Sequence, residues 1–268
     1  MNFLKAESFF DVASFAHRDL FAGTATVWEA LERLSTYIKE SLRGNVTSVR
    51  CFAEPLPRTL VLWQGKVWAE GFEILGGDVT KGKFLVQVDG VETNEASVLY
   101  AGAVLWDEGI FIGPGAVVEP GALIKGPTII GAQTEVRQGA YVRGKCLVGD
   151  RCVVGHTTEM KSSVMLNDAR AGHFAYIGDS ILGHATNLGA GTKLANLNIG
   201  ELPVRIRMEK EAVETGLRKF GAVLGDRVET GCNSVTNPGT LLAPGCRVFP
   251  AVSVRPGYYP PGMTILNR

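Results

Sequence analysis

The sequence predicts a left-handed parallel β-helix of hexapeptide rungs, preceded by a small N-terminal α+β region. Three observations carry that prediction. From Ile112 an aliphatic residue returns every six positions, and from Ala116 to Thr158 a small residue returns four positions after it. Glycine supplies 33 of 268 residues while aromatic residues supply only 8%. That is nearly twice the roughly 7% glycine of an average chain, and it suits a fold made of strands and turns.

The aliphatic openers are Ile112, Val118, Ile124, Ile130, Val136, Val142, Val148, Val154, Met160 and Leu166. The small residues are Ala116, Ala122, Thr128, Thr134, Ala140, Cys146, Cys152 and Thr158. Two hexads then shorten to five, giving Ala171, Ile177, Leu182, Leu188 and Leu194 as openers. After an interruption the register resumes at Leu224, Thr230, Thr236, Leu242, Val248 and Val254. Three hexads make one triangular coil of about 18 residues. The opener points into the prism, and strands stack about 4.8 Å apart along its axis. Coils of this kind are left-handed, an exception to the right-handed crossover rule. The register places the helix from about residue 105 to 258, within a second unit at 101–268.

Before it, residues 1–100 form a different kind of sequence. Val27, Leu31, Leu34, Ile38 and Leu42 fall at steps of three or four, which predicts an amphipathic helix over Thr26–Leu42, stopped by Gly44 and Asn45. The apolar stretches Thr59–Trp63 and Lys83–Val88 read as strands. Within the solenoid, residues 198–220 break the register and are expected as a loop ejected between coils. They set Arg205, Arg207, Lys210, Arg218 and Lys219 against Glu201, Glu209, Glu211 and Glu214. Long loops on a rigid scaffold are more often functional than not, and a solvated mixed-charge flap is the other reading.

Composition excludes several functions. Lys+Arg and Asp+Glu both total 27, so the net charge is zero. A nucleic-acid partner would call for a basic excess, and nothing here attracts an anionic membrane. No uncharged run approaches the roughly 18 residues of a spanning helix, and Lys5, Glu7 and Asp11 contradict a signal-peptide layout. The expectation is a soluble, cytoplasmic chain. The cysteines at 51, 146, 152, 232 and 246 are odd in number and include no CxxC. They read as small buried apolar residues, and no metal site is expected.

The coil geometry stacks outward positions as well. Lys125, Arg143 and Lys161 each follow an opener at 18-residue intervals, which predicts a column of three cations on one face. Without counter-ions such a column calls for an anion, and a phosphate or sugar phosphate suits Arg and Lys donors. Independent solvated side chains are the other reading. His156 and His173 share one hexad position and should lie one above the other, with His184 on a different face and His17 in the N-terminal region. A neutral imidazole near cations is suited to act as a general base.

Three segments carry a family resemblance. They are Glu159-Met160-Lys161, the run from Ala171 to Asp179 (AGHFAYIGD), and the run from Asn187 to Asn196 that begins Asn-Leu-Gly-Ala-Gly-Thr. The chain here resembles the acetyltransferase half of bifunctional N-acetylglucosamine-1-phosphate uridyltransferase/glucosamine-1-phosphate acetyltransferase enzymes, within the hexapeptide-repeat acyltransferases. The later run from Glu214 to Ala222 is similar to their archaeal branch. The resemblance implies an acetyl-CoA-dependent N-acetyltransferase acting on an amino-sugar phosphate or nucleotide amino sugar. It implies His173 as general base, Arg143 and Lys161 as phosphate ligands, and Tyr176 and Asn187 as sugar contacts. It implies Ala190, Asn196, Leu197, Cys232 and Pro250 along acetyl-CoA, with the Asn196 amide also able to stabilise charge on the thioester oxygen. It implies a homotrimer with sites between neighbouring prisms.

Two departures from the pattern stand out. A second lysine expected near Leu202 is missing, which leaves Arg205 or Arg207 to supply the charge, and Cys232 replaces a small polar residue. The uridyltransferase half has no counterpart in residues 1–100, where no Gly-rich nucleotide loop occurs. Phe9-Phe10-Asp11-Val12 and the following helix are similar to the closing segment of such domains, so a non-catalytic remnant or replacement is expected. Two alternatives stay open: a non-catalytic sugar-nucleotide-binding or scaffold protein, and a nucleotidyltransferase by name only.

Overall fold

The computed structural model describes residues 2–49, 51–200, 202–208 and 212–267. Its body is a left-handed β-helix of about 9 turns, accompanied by a single α-helix. Each coil contributes one short strand to each of three faces. Face I stacks the inward residues Val118, Val136, Val154, Ala171, Leu188, Thr230 and Val248. Face II stacks Leu105, Ile124, Val142, Met160, Ile177, Leu194, Thr236 and Val254. Face III stacks Ile112, Ile130, Val148, Met165, Leu182, Leu224 and Leu242. The parallel stack runs from Ser97–Leu99 to Thr264–Ile265, longer at both ends than the register predicts.

One opener is corrected. Met165, not Leu166, pairs with Val148 and Leu182 inside face III. The first five-residue rung therefore falls between Met160 and Met165, one rung earlier than the sequence pattern placed it. Leu166 is fully buried all the same, but in the apolar layer outside the prism. The small residues are buried as expected, from Ala116 to Thr158. Thr134 satisfies its hydroxyl by donating to the Gly149 carbonyl at 2.8 Å and accepting from the Cys152 amide at 2.9 Å. Burial pushes the Cys146 and Cys152 thiols up to about 12, so both are inert packing groups.

Face III is covered. Its outward residues Ile129, Leu147, Val164, Ile181, Val223 and Leu241 are buried beneath Phe9, Phe10, Leu20, Trp28, Leu34 and Ile38. The helix runs Glu29–Ser41, shorter than the apolar periodicity alone suggests, and it buries Ala30, Leu34 and Ile38. Its start is set by the Glu29 carboxylate, which accepts from the Ala25 and Thr26 amides and from the Thr26 hydroxyl. The interruption after Asn196 is no solvated flap. Its strands Arg205–Arg207 and Ala212–Glu214 pair as an antiparallel hairpin, with Val204 and Ile206 buried in the same layer. Glu201, Glu209, Lys210 and Glu211 lie outside the described residues. Two glycines with positive φ admit the hairpin: a Cβ on Gly239 would stand 2.9 Å from the Arg205 carbonyl oxygen, and one on Gly257 2.7 Å from that of Arg207.

Residues between the helix and the solenoid extend face I. Leu60–Trp63 pairs antiparallel with both Lys66–Trp68 and Ser97–Leu99. A three-stranded sheet, Phe72–Asp78, Lys83–Val88 and Val91–Thr93, packs Phe84, Val86 and Val88 against Val61, Val98 and Val117. Among the described residues no helix is long and apolar enough to cross a membrane.

Candidate active site

Face II and its two corners hold nearly all the singled-out residues, because hexad position fixes direction. The residue after each inward opener points outward, and the next one occupies the corner. Trp106, Lys125, Arg143 and Lys161 form one outward row on face II, linked coil to coil by the Trp106, Lys125 and Arg143 amides donating to Ile124, Val142 and Met160 carbonyls at 2.8 Å each. Tyr141, Glu159, Tyr176 and Lys193 form the neighbouring row.

The predicted cation column therefore exists, but not without counter-ions. Arg143 donates to Glu159 at 2.6 Å, which raises the guanidinium pKa further above its ordinary value. Lys161 is paired to Asp179 at 2.9 Å, and both side chains are mostly buried. Lys125 has no carboxylate partner among the described residues; its ammonium lies 4.1 Å over the Trp106 ring and 5.6 Å from that of Tyr141. The pattern of spacing found the cations, whereas their partners come from a neighbouring row and a corner that spacing alone does not connect.

Asp179 joins the two sides of the site. Its Oδ2 accepts from Lys161 and, through a short hydrogen bond, from the Asn196 amide. The Asn196 Oδ1 in turn accepts from the Tyr176 hydroxyl at 3.3 Å. Burial raises the Tyr176 pKa, so the ring stays a phenol and a donor at neutral pH. Arg143, Lys161, Tyr176 and Asn196 are thus brought together, with Glu159 and Asp179 as the carboxylates that sequence reasoning had passed over.

The corner between faces I and II carries the imidazoles. His156 and His173 are in register. The amides of Phe174, Gly191, Asn233 and Ala251 donate to the carbonyls of His156, His173, Ala190 and Cys232 respectively. This ladder puts His156, His173, Ala190, Cys232 and Pro250 in a single column, one per coil. Residues assigned separately to base chemistry and to a cofactor wall therefore share one edge of the prism.

The two imidazoles differ in what they hold. His156 Nδ1 lies 2.9 Å from the Gln138 carbonyl oxygen, which can only accept, so that nitrogen carries the proton. Its Nε2 lies 3.2 Å from the Thr157 hydroxyl. The His173 ring is exposed and, among the described residues, makes only an aromatic contact with Phe174. Neither of its nitrogens has a hydrogen-bond partner among the described residues. Phe174 itself, at φ 54°, occupies the left-handed region that bulky residues rarely adopt.

Asn187 and Leu197 stand apart. Asn187 is exposed on face I between Arg170 and Glu229, around the corner from Tyr176. Leu197 begins the inserted hairpin, bridged to Lys219. The expected substitute cations do not join the site: Arg205 is tied to Glu214 at 2.7 Å on a hairpin packed beside face III. Lys193 is the cation that sequence reasoning missed. It follows Tyr176 in its row, and its ammonium donates to the Gly191 carbonyl at 2.7 Å, at the corner next to Ala190. Its place in the rung was the available signal. No group of three or more His, Cys, Asp or Glu side chains able to hold a metal occurs among the described residues.

Comparison with known proteins matches residues 124–255 to the family described as the GMPPB C-terminal domain. A bifunctional sugar-1-phosphate nucleotidylyltransferase/acetyltransferase from Sulfurisphaera tokodaii is 35% identical over 98 residues, covering 37% of this chain and 24% of that protein. The bifunctional protein GlmU of Methanocaldococcus jannaschii is 34% identical over 91 residues, covering 34% and 22%. That of Methanococcus aeolicus is 37% identical over 87 residues, covering 32% and 21%. The matched segments span less than a quarter of these relatives. In its β-helix the chain is similar to the acetyltransferase-bearing GlmU-type proteins, and so to the hexapeptide-repeat acyltransferases whose motifs it carries.

Proposed function

We propose that the chain transfers an acetyl group from acetyl-CoA to the amine of an amino-sugar phosphate. One observation carries the reading: an exposed imidazole with no hydrogen-bonded partner among the described residues, His173, stands at the corner beside a face that presents Arg143, Lys161 and Tyr176. Acetyl-CoA supplies the activated thioester. The column of Ala190, Cys232 and Pro250 beyond His173 offers a shallow edge of small side chains along which its arm would lie.

In this reading Lys161 and Arg143 bind the phosphate, exchanging part of their contact with Asp179 and Glu159 for charge-assisted bonds to the ligand. Tyr176 orients the sugar. The amine nitrogen attacks the thioester carbon; the N–C bond forms, the C–S bond breaks, and the sulfur leaves as the thiolate of CoA. His173 takes the proton lost by the amine and can return it to that thiolate. Asn196, held by Asp179 and Tyr176, supplies an amide dipole near the developing negative charge.

The site lies open on a single prism, which supports a homotrimer in which a second copy closes it and Asn187 of one copy approaches face II of another. Sedimentation should give three times 28.7 kDa; a monomer at micromolar concentration would contradict this assembly. The decisive experiment is thiol release from acetyl-CoA with glucosamine-1-phosphate and nucleotide amino sugars as acceptors. Release dependent on the acceptor is expected. The pairing of both phosphate-facing cations with the chain's own carboxylates favours a second reading, a binding protein without activity. Acceptor binding without thiol release would select it.

A further inference from the structure

We propose that the acceptor is a nucleoside diphosphate amino sugar, its nucleoside seated on the exposed ring of Trp106 and its distal phosphate on Lys125. The inference rests on the acetyl-transfer reading above and deepens it. It begins from an imbalance on face II. Arg143 and Lys161 each have a carboxylate of their own, while Lys125 has, among the described residues, only aromatic faces. An ammonium held over rings keeps its full charge and its donors. It is therefore the cation in this row most available to an incoming anion.

Order along the axis supports the same ligand. With coils about 4.8 Å apart, the site reads as a line. Tyr176 and the His173 corner come first, then Lys161, Arg143, Lys125 and Trp106 on four successive coils. A sugar with its amine at His173 and one phosphate at Lys161 and Arg143 ends there, and gives Lys125 and Trp106 nothing to do. A diphosphate continues from Arg143 to Lys125. The attached ribose and base then reach the fourth coil, about 19 Å from the sugar by the same spacing.

Trp106 is suited to that end. Its side chain is 43% exposed, on a face whose other outward residues are mostly polar or charged. Lys125 lies against the ring at 4.1 Å and limits its orientation. A π-face of this kind stacks on any nucleobase and does not select among them. The row thus provides for sugar, diphosphate and base in the order in which a nucleotide sugar carries them.

The test uses the full chain with UDP-glucosamine and glucosamine-1-phosphate as alternative acceptors, and UDP alone in calorimetry. The unmutated protein should have the higher kcat/KM for UDP-glucosamine and should bind UDP. Trp106→Ala should lower the ratio of the two kcat/KM values about tenfold and weaken UDP binding by a similar factor, as loss of one stacked base does. Trp106→Phe should restore most of both. A preference for glucosamine-1-phosphate, or a ratio and UDP affinity unmoved by Trp106→Ala, would overturn the proposal while leaving acetyl transfer intact. UDP binding through Trp106 without acetyl transfer to either acceptor would uphold the nucleotide shelf and overturn the acetyl-transfer reading. Loss of assembly in Trp106→Ala with unchanged UDP affinity would assign the ring to a contact between copies, and so would also overturn it.

Discussion

Faces II and III are built by the same six-residue rule and meet opposite fates. Their inward rows are alike, apolar apart from Thr236 on face II, and both are buried. Their outward rows are not. On face III the outward residues run from Phe111 through Ile, Leu and Val to Tyr258, and the N-terminal segment and the inserted hairpin pack on them. On face II the outward residues are mainly Trp, Lys, Arg, Tyr and Glu, with Val104, Leu123 and Val235 among them, and they are exposed or half-buried. The solenoid is therefore a neutral frame: what each face does is decided by the residues flanking the opener. Apolar flanks recruit chain, and polar flanks leave a surface for ligands.

The largest effect that would sharpen this contrast is expected on the open side. His173→Ala should lower acetyl transfer by roughly 10²–10⁴-fold, the range for a positioned general base. His156→Ala should cost much less, because that ring already has its hydrogen bonds to Gln138 and Thr157. Equal losses for the two would mean that the corner column, and not its chemistry, had been damaged.

Next comes the covered side, where the readout is stability. Leu147→Ala removes a fully buried side chain between face III and the N-terminal helix. It should cost about 2–5 kcal/mol in urea unfolding. Lys193→Ala on face II, where the side chain is exposed, should stay within about 0.5 kcal/mol. If both cost the same, the two faces do not differ as described.

A smaller change is expected from Lys161→Ala. It should raise the acceptor KM about tenfold with little change in kcat, since the charge acts on ground and transition states alike. A fall in kcat with unchanged KM would show instead that Lys161 acts only as the reaction proceeds.

The smallest effect concerns pH and the covered side. Burial lowers the His17 pKa from its ordinary 6.5, with Asp150 opposing in part. The fold thus favours the neutral ring. That contribution to stability is present above the ordinary value and is lost as pH falls through the depressed one. The urea midpoint should drop between about pH 7.5 and pH 5, and His17→Gln should flatten the drop. An unchanged slope in that variant would remove His17 as its source.

How far the sequence could be read follows from the same contrast. Inward positions obey one requirement, so their period survives in the sequence and predicts the solenoid, the stacked cations and the aligned histidines. The misplaced rung arises where two requirements overlap. Val164, Met165 and Leu166 are all apolar because this stretch is buried on both sides, and periodicity cannot say which of Met165 and Leu166 faces inward. The carboxylates Glu159 and Asp179 were invisible as partners for a different reason. They lie in other rows of the rung from the cations they bind, and a contact between rows depends on side-chain reach, which no repeat encodes. The hairpin was legible as an interruption, but its packing depends on face III, whose outward residues the six-residue pattern does not constrain.

The insertion after Asn196 has one more consequence. Its two ends are pinned together, by the bridge between Leu197 and Lys219 and by the Phe220 amide donating to the Asn196 carbonyl at 3.0 Å. Above and below that clasp, Leu182 pairs with Leu224 as if the coil were continuous. The solenoid is thus indifferent to the length of whatever passes through the clasp. This makes the junction a natural port for grafting: a foreign peptide spliced into the hairpin tip would be displayed from a rigid rod, at an axial height set by the coil from which it departs.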